Sequence, residues 1–265
     1  MGFVHLRTYS DATPGGAHFS NLAEHAVTAG MKSLALTDRG NMISAVHFAS
    51  AAAKRKIKPI IGQCFHLSYS ADTPRHEIVL LSKNRTGYRN LLELSTLSSC
   101  RKDPALSLEE LASHRDGLIA LCGGSGLIPE LILAGRADEA AEEITLLRDA
   151  LGAEQLYLEM QYDESAEQTQ ARDGLARISR ELGLQLAATG CASPDAPSRQ
   201  EENETGLAGE DAMRKLFAAY PDAIENTGRI ADRCTLEFDL FDTELPAFPL
   251  PEGETAKSLL RQKAE

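Results

Sequence analysis

The sequence predicts an α/β fold, a distorted (β/α)7 barrel of the TIM-like kind. Short aliphatic runs alternate along the chain with helical stretches, and strands separated by helical patterns of about 10–15 residues are typical of βαβ units around a parallel sheet. Six or seven such units precede residue 190, which favours a closed barrel over the runner-up, an open doubly wound sheet. The early strands lack the G-x-G-x-x-G pattern of dinucleotide-binding sheets.

Each predicted element rests on local pattern. Strands are expected where aliphatic and β-branched residues cluster, at 3–9, 33–37, 58–62, 64–70, 76–82, 117–124, 155–161 and 184–190. Helices are expected where apolar residues recur at helical spacing, at 22–31, 43–56, 87–99, 107–114, 127–134 and 137–150. A further long helix is expected after the strand at 155–161, and it should end at about residue 182. Ser107 and Glu110 form a capping-box pattern, which predicts that a helix begins there.

The chain changes character after Gly190. Residues 191–211 are rich in Pro, Ser, Asn, Gly and Glu, which is typical of a surface loop, and two short helices are expected at 210–218 and 222–233. The last residues combine prolines with the first turns of a helix. We expect a barrel domain over 1–240 and a linker over 241–265 that leads into a longer protein.

Composition limits the classes of function. The formal net charge is -12 and the pI about 5.1, which argues against direct nucleic-acid binding by this chain. The five cysteines are scattered and odd in number, as expected for reduced cytosolic thiols. No apolar run approaches a membrane span, and the N-terminus has no apolar signal core. These features predict a cytoplasmic protein without a membrane partner.

Polar residues follow several predicted strands, where α/β proteins build their active sites. The candidates are His5, Arg7 and Asp11 near the first strand, Asp38 and Arg39 after the second, Cys64 and His66 in the third and fourth, and His76. The two arginines do not fit a metal site, because a guanidinium neither ligates a metal nor acts as a base near neutral pH.

These stretches resemble the PHP domain at the N-terminus of the bacterial replicative DNA polymerase III alpha subunit. The resemblance covers nearly the whole chain, and its segments stand in the family's order. They are FVHLRTYSD, GMKSLALTDRGNM, IKPIIG, HEIVLLSKNRTGYRNLLELST, GLIALCGG, LYLEMQ and YPDAIENTGRIADRCTLEFD, followed by LPAFPLPEGETAKSLLR at the family's junction with the polymerase region.

The resemblance implies a chemistry and a set of partners. Active PHP domains hold up to three metals at the barrel mouth through mostly His ligands, with Asp, Glu and sometimes Cys. They hydrolyse phosphoesters, because the metals activate water and clamp the phosphate. In some polymerases this activity is a proofreading 3′–5′ exonuclease. Members with degenerate sites support the rest of the polymerase alpha subunit and dock a separate, epsilon-type proofreading exonuclease subunit.

This sequence departs from the family's ligand pattern at most positions. His5 and His76 match ligand positions, whereas Arg7 and Arg39 replace histidines and Gln63-Cys64 replaces a glutamate. The remaining ligand positions fall near Asp11, on Gly124, and on Cys191 to Ser193. Two fixed positive charges and missing anions repel a metal ion. We therefore expect no catalytic residue and a degenerate site at His5, Arg7, Asp11, Asp38, Arg39, Cys64, His76, Gly124, Cys191 and Ser193.

Two expectations follow for the mouth. Arg7 or Arg39 should pair with Asp11 or Asp38, and no cofactor should be bound. The alternative is a reduced zinc or manganese site on His5, Cys64 and His76, since Cys and His are good zinc ligands. The function expected is a structural and partner-docking PHP domain of the polymerase alpha subunit. The alternative function is a PHP-family phosphoesterase or 3′–5′ exonuclease.

Overall fold

A computed structural model describes residues 2–68, 75–162, 166–190, 207–238, 250–251, 253 and 255–264. Cys191 and Ser193, two of the expected site positions, lie outside these residues. The strands are β1 (Ser33–Leu36), β2 (Lys58–Leu67), β3 (His76–Ser82), β4 (Leu118–Gly126), β5 (Leu156–Tyr162) and β6 (Gln185–Gly190). The helices are α1 (Phe19–Thr28), α2 (Ala45–Lys54), α3 (Arg85–Ser99), α4 (Leu108–Ser113), α5 (Leu127–Leu133), α6 (Ala137–Leu151), α7 (Ala166–Leu182), α8 (Glu210–Leu216), α9 (Pro221–Arg233) and α10 (Ala256–Ala264).

The six strands form one sheet in the order β1 to β6, so each strand neighbours the next along the chain. This order excludes the doubly wound alternative, in which the strand order reverses at a switch point. β1–β2, β4–β5 and β5–β6 are parallel, whereas β3 runs antiparallel to both of its neighbours. The expectation of an all-parallel sheet is therefore wrong at β3, which follows β2 without an intervening helix.

Three of the predicted strands differ from the structure. The strands expected at 58–62 and 64–70 are a single ten-residue strand, β2. The segment expected as a strand at 3–9 forms no regular ladder, although the backbone N–H groups of Ala35 and Thr37 donate to the carbonyls of His5 and Thr8. This segment thus lies along β1 and supplies side chains to the interior without being a strand.

The sheet curls around a single interior cluster. Alternate residues of all six strands meet there with Val4, Leu6 and Tyr9 of the N-terminal segment; from the strands they include Ala35, Ile60, Val79, Leu121, Tyr157 and Ala187. Such convergence requires a strongly curled sheet, because successive side chains of a strand point to opposite faces and only one face of each strand meets the others here. The other face of the strands packs against the helices in two further clusters.

Helix α4 carries the cap that the sequence predicts. α4 begins with the capping box of Ser107 and Glu110, in which each side chain accepts from the other residue's backbone N–H. In α10, by contrast, no residue is buried. The division into a barrel over 1–240 and a linker over 241–265 stays a prediction, because residues 239–249 lie outside the described part. Within that part, no helix has both the length and the hydropathy needed to cross a bilayer.

Gly87 marks the closest backbone approach between α3 and the loop before β4. A Cβ atom on Gly87 would lie 1.9 Å from the carbonyl oxygen of Gly117. We predict that Gly87→Ala lowers the free energy of unfolding by about 2 kcal/mol or more, because backbone atoms must move to relieve the contact. Gly209→Ala is the control, since nothing lies within 4 Å of its added Cβ. Urea denaturation that gives equal losses for the two variants contradicts this packing.

Candidate functional site

The mouth of the barrel, toward the carboxyl ends of the parallel strands, holds a cluster of charged side chains. We call Arg7, Tyr9, Arg39, Cys64, Glu77 and Glu159 the mouth cluster. It draws on the N-terminal segment, the turn after β1, and strands β2, β3 and β5. Glu77 shares the inward face of β3 with Val79 and Leu81, and Glu159 shares the inward face of β5 with Tyr157. Strand alternation therefore aims both carboxylates into the barrel.

Arg7 is the centre of the mouth cluster. Its side chain is only 3% exposed, and its guanidinium forms ion pairs with Glu77 and, at 2.9 Å, with Glu159. Its Nε donates to the Tyr9 hydroxyl at 2.7 Å, and its Nη2 lies 3.9 Å from the Cys64 sulfur. Burial by itself would lower the pKa of Arg7, but the facing acidic groups, Glu159 foremost, raise it well above its ordinary value.

Arg39 adds the second positive charge. Its Nε lies 3.0 Å from Oε1 of Glu77, and its guanidinium stacks over the Tyr9 ring at 4.9 Å from the ring centroid. Glu77 is therefore shared between two guanidiniums, and Ser125 also donates to it. Burial opposes ionisation of Glu77, but Arg7, Ser125 and Arg39 overcome it and lower its pKa to about 2. The two arginines and the two glutamates balance in charge.

Polar neighbours complete the environment of Glu159. Its Oε1 accepts from the Thr189 hydroxyl at 2.7 Å. The Gln161 amide, in the orientation that satisfies its neighbours, accepts from Arg7 at 2.7 Å and donates to the Gly124 carbonyl at 3.2 Å. A Cβ atom on Gly124 would lie 2.5 Å from Oε2 of Glu159. Glu159 thus occupies the space that a side chain at position 124 would need.

The expected pairing of the arginines with Asp11 or Asp38 is wrong. Asp11 is exposed, and Asp38 instead accepts from the backbone and hydroxyl of Ser10, both at 2.6 Å, and from the Thr13 hydroxyl at 3.0 Å. Burial raises the pKa of Asp38, although these hydrogen bonds oppose the rise. Asp38 therefore holds the turn that contains Ser10 and Thr13 against the end of β1. The arginines pair with glutamates instead.

The alternative metal set of His5, Cys64 and His76 is not assembled. His76 lies across from Leu67 on the outward face of β3, with its Nε2 3.7 Å from a carboxylate oxygen of Glu143 on α6. His5 donates from Nε2 to the Ala208 carbonyl at 2.8 Å. Cys64 faces the interior, where burial raises the pKa of its thiol to about 12. Because a metal ligand is a thiolate, this environment opposes metal binding by Cys64.

The described residues do not fit a metal centre. Nowhere among them do three His, Cys, Asp or Glu side chains group closely enough to hold a metal ion. The carboxylates that face the mouth are already bound to two guanidiniums. His66 lies across from Glu77 but is exposed to solvent. A metal ion would have to displace Arg7 against both of its ion pairs.

Gln63, which with Cys64 replaces a glutamate of the family's ligand pattern, does not face the mouth. Its side chain is fully buried on the outward face of β2, across from Leu80, and its two amide atoms have no hydrogen-bond partner among the described residues. An amide buried without partners costs stability. Gln63 is therefore turned away from the mouth, unlike its neighbour Cys64.

We predict that Arg7→Met lowers the free energy of unfolding by about 3–5 kcal/mol, because it leaves two carboxylates buried without their cation. Arg136→Met is the matched control, since Arg136 is exposed and pairs with Glu139 on the surface. Its denaturation midpoint should stay at the wild-type value. Urea denaturation followed by circular dichroism measures both, and an Arg7 variant as stable as the control contradicts a central role for Arg7.

His5 makes stability depend on pH. Burial lowers its pKa from 6.5 to about 4, whereas the unfolded chain titrates at the ordinary value. The unfolded state therefore takes up the proton first, and the free energy of unfolding falls as the pH drops from 6.5 to 4, by up to about 3 kcal/mol. Burial lowers the pKa of His76 to about 4 as well, which adds a change in the same direction.

His5→Gln isolates the His5 contribution, because glutamine keeps an N–H donor for the Ala208 carbonyl and does not titrate. The variant should lose less stability between pH 7 and pH 4.5 than the wild type does. Denaturation curves at these two pH values measure the difference. An equal loss in both proteins excludes His5 as a source of the pH dependence.

Comparisons with known proteins agree with this architecture. The family model of the PHP domain matches residues 4–163. The DNA polymerase III subunit alpha of Borreliella burgdorferi is 33% identical over 94% of this chain, and that of Bacillus subtilis is 28% identical over 98%. In each case the match covers 25% of the relative, so the chain spans about a quarter of the length of these proteins.

A solved structure confirms the fold class. An amidohydrolase from Chromobacterium violaceum, determined with bound sulfate and no metal, superposes with a TM-score of 0.51 at 16% identity, over 70% of this chain and 86% of that one. At this identity the likeness concerns the fold alone. The family is shown by the PHP domain model, which matches more than half of the residues: the chain belongs to the PHP domain family.

Proposed function

We propose that this chain is the PHP domain of a bacterial DNA polymerase III alpha subunit, and that it is a structural and partner-docking domain without hydrolase activity of its own. The similarity to alpha subunits extends over nearly the whole chain. The parent protein would be a DNA-directed DNA polymerase that acts in replication in the cytoplasm. The groups that transfer nucleotides would belong to the rest of that polypeptide.

The observation that carries the loss of hydrolase activity is the position of Arg7. Phosphoester hydrolysis in this family needs metal ions that activate water. Here a buried guanidinium lies between the two glutamates that face the mouth, Glu77 and Glu159. The charge balance of the mouth cluster is complete without a metal ion. The alternative, a phosphoesterase with a reduced site on His5, Cys64 and His76, lacks support because these side chains point in different directions.

The structural role follows from the connections of the mouth cluster. It joins the N-terminal segment to β3 and β5, the two neighbours of β4, through ion pairs with little solvent access. Buried ion pairs hold a defined geometry because breaking one leaves an uncompensated charge. We propose that the barrel supports the rest of the alpha subunit and docks the proofreading exonuclease subunit, and that it makes no direct contact with nucleic acid.

Metal content tests the loss of the hydrolase site. After dialysis against zinc and manganese and then against buffer, elemental mass spectrometry should find less than about 0.1 metal ion per chain, because the described part of the chain holds no preformed ligand set. The double variant with Arg7→His and Arg39→His is measured beside the wild type, because it removes both guanidiniums from the mouth. About one metal ion per wild-type chain, lost in His5→Ala or His76→Ala, contradicts the proposal and calls for nuclease assays.

A further inference from the structure

We propose that a patch on the rim of the barrel binds a protein segment that presents a carboxylate beside an apolar side chain. The rim patch consists of Phe19, Arg39, Ile43, Val46 and His47, at the starts of α1 and α2 and in the turn after β1. This inference rests on the proposed docking function, and it names the surface and the chemistry of the partner.

The apolar part of the rim patch is unusually exposed. Ile43 is 75% exposed and Val46 45%, although both are large aliphatic residues. His47 follows Val46 on α2 and is exposed as well, and the partly buried Phe19 ring lies 5.7 Å from the His47 ring and 4.2 Å from the His18 ring between centroids. Exposed aliphatic and aromatic groups that lie together are typical of protein interaction sites.

The turn between Arg39 and Ile43 is held in place by Asn41. The Asn41 side chain donates to the Arg39 carbonyl at 3.1 Å and accepts from the Ile43 backbone N–H at 3.2 Å. The Arg39 N–H in turn donates to the Thr13 hydroxyl at 3.0 Å. A partner would therefore meet a surface whose backbone is already ordered, which reduces the entropy lost on binding.

Arg39 gives the rim patch its charge preference. Its Nε faces Glu77 and its plane lies over Tyr9, but its terminal nitrogens make no hydrogen bond with any described residue. The side chain is 35% exposed. A guanidinium with free terminal nitrogens matches a carboxylate in a bidentate arrangement. Glu77 pairs with Arg39 through Nε, and an acidic group on the partner would pair with the terminal nitrogens.

A protein partner fits these features better than a nucleic acid. Binding a phosphate backbone requires several cations along a groove. The rim patch has one arginine, and the whole chain carries a net charge of -12. Aliphatic side chains as exposed as Ile43 have no counterpart on a phosphate backbone, whereas they fit an apolar side chain of a protein.

The test uses the purified proofreading exonuclease subunit of the same organism as the probe, in biolayer interferometry with the immobilised chain. Ile43→Asp and Val46→Asp should each weaken binding by about tenfold or more. Arg39→Gln should weaken it as well and reduce its dependence on salt. Leu146→Asp on α6 is the matched control, because Leu146 is 45% exposed, as Val46 is. The control should bind like the wild type.

The other possible results of this binding experiment distinguish a failure of the rim patch from a failure of the docking function. If the wild type binds and the rim variants bind within about twofold of it, the rim patch is wrong and the docking function stands. If the wild type does not bind the exonuclease subunit at all, the proposed docking function and the rim patch both fail. Binding of a single-stranded oligonucleotide that Ile43→Asp weakens would make the patch a nucleic-acid surface and overturn the inference. Thermal melting of each variant checks that the fold is intact.

Discussion

The mouth of this barrel depends on the pair of ion contacts that Arg7 makes with Glu77 and Glu159. The three side chains come from the N-terminal segment, β3 and β5, and none of them has much access to water. In such a site the attraction between opposite charges is strong, and so is the penalty for leaving one charge alone. The remaining mouth residues are arranged around this centre: Tyr9 and Cys64 contact Arg7, and Ser125 and Thr189 donate to the carboxylates.

The guanidinium of Arg7 lies at the mouth of the barrel, where a metal cluster would also lie if the barrel held one. Each supplies positive charge to inward-facing acidic groups at the point where the strands converge. The guanidinium belongs to the chain, however, so the barrel needs no metal ion in order to balance its buried carboxylates. It also carries no water that can be deprotonated near neutral pH, so it offers no nucleophile. Under the proposed function, Arg7 would preserve the fold and leave the mouth without the metal-activated water that hydrolysis needs.

Much of the fold follows from local sequence pattern. The helices and most strands begin and end close to the predicted residues, because caps and apolar periodicity are local signals, as at the capping box of Ser107 and Glu110. The antiparallel β3 was not predicted, since strand direction depends on tertiary pairing. The β-forming residues at 3–9 predict a strand, yet this segment forms only scattered hydrogen bonds with β1.

The site was predicted in part. The resemblance pointed to His5, Arg7, Arg39 and Cys64, and three of these, the arginines and Cys64, belong to the mouth cluster. It also pointed to His76, whereas the inward residue is its neighbour Glu77, because a step of one residue along a strand reverses the face. A signal for both missed glutamates was present in the sequence. Each is a charged residue within an apolar strand, HEIVLLS or LYLEMQ, and such a charge needs a buried partner.

A thermodynamic cycle on the mouth tests the central claim most directly. It compares the free energies of unfolding of three variants by urea denaturation at pH 7. They are the single variant Arg7→Met, the double variant with Glu77→Gln and Glu159→Gln, and the triple variant that combines all three changes. If Arg7 is the cation that balances both carboxylates, the combined variant is more stable than Arg7→Met alone, because its mouth no longer holds unpaired charge. If the losses simply add, the three side chains do not act as one unit and the account is wrong.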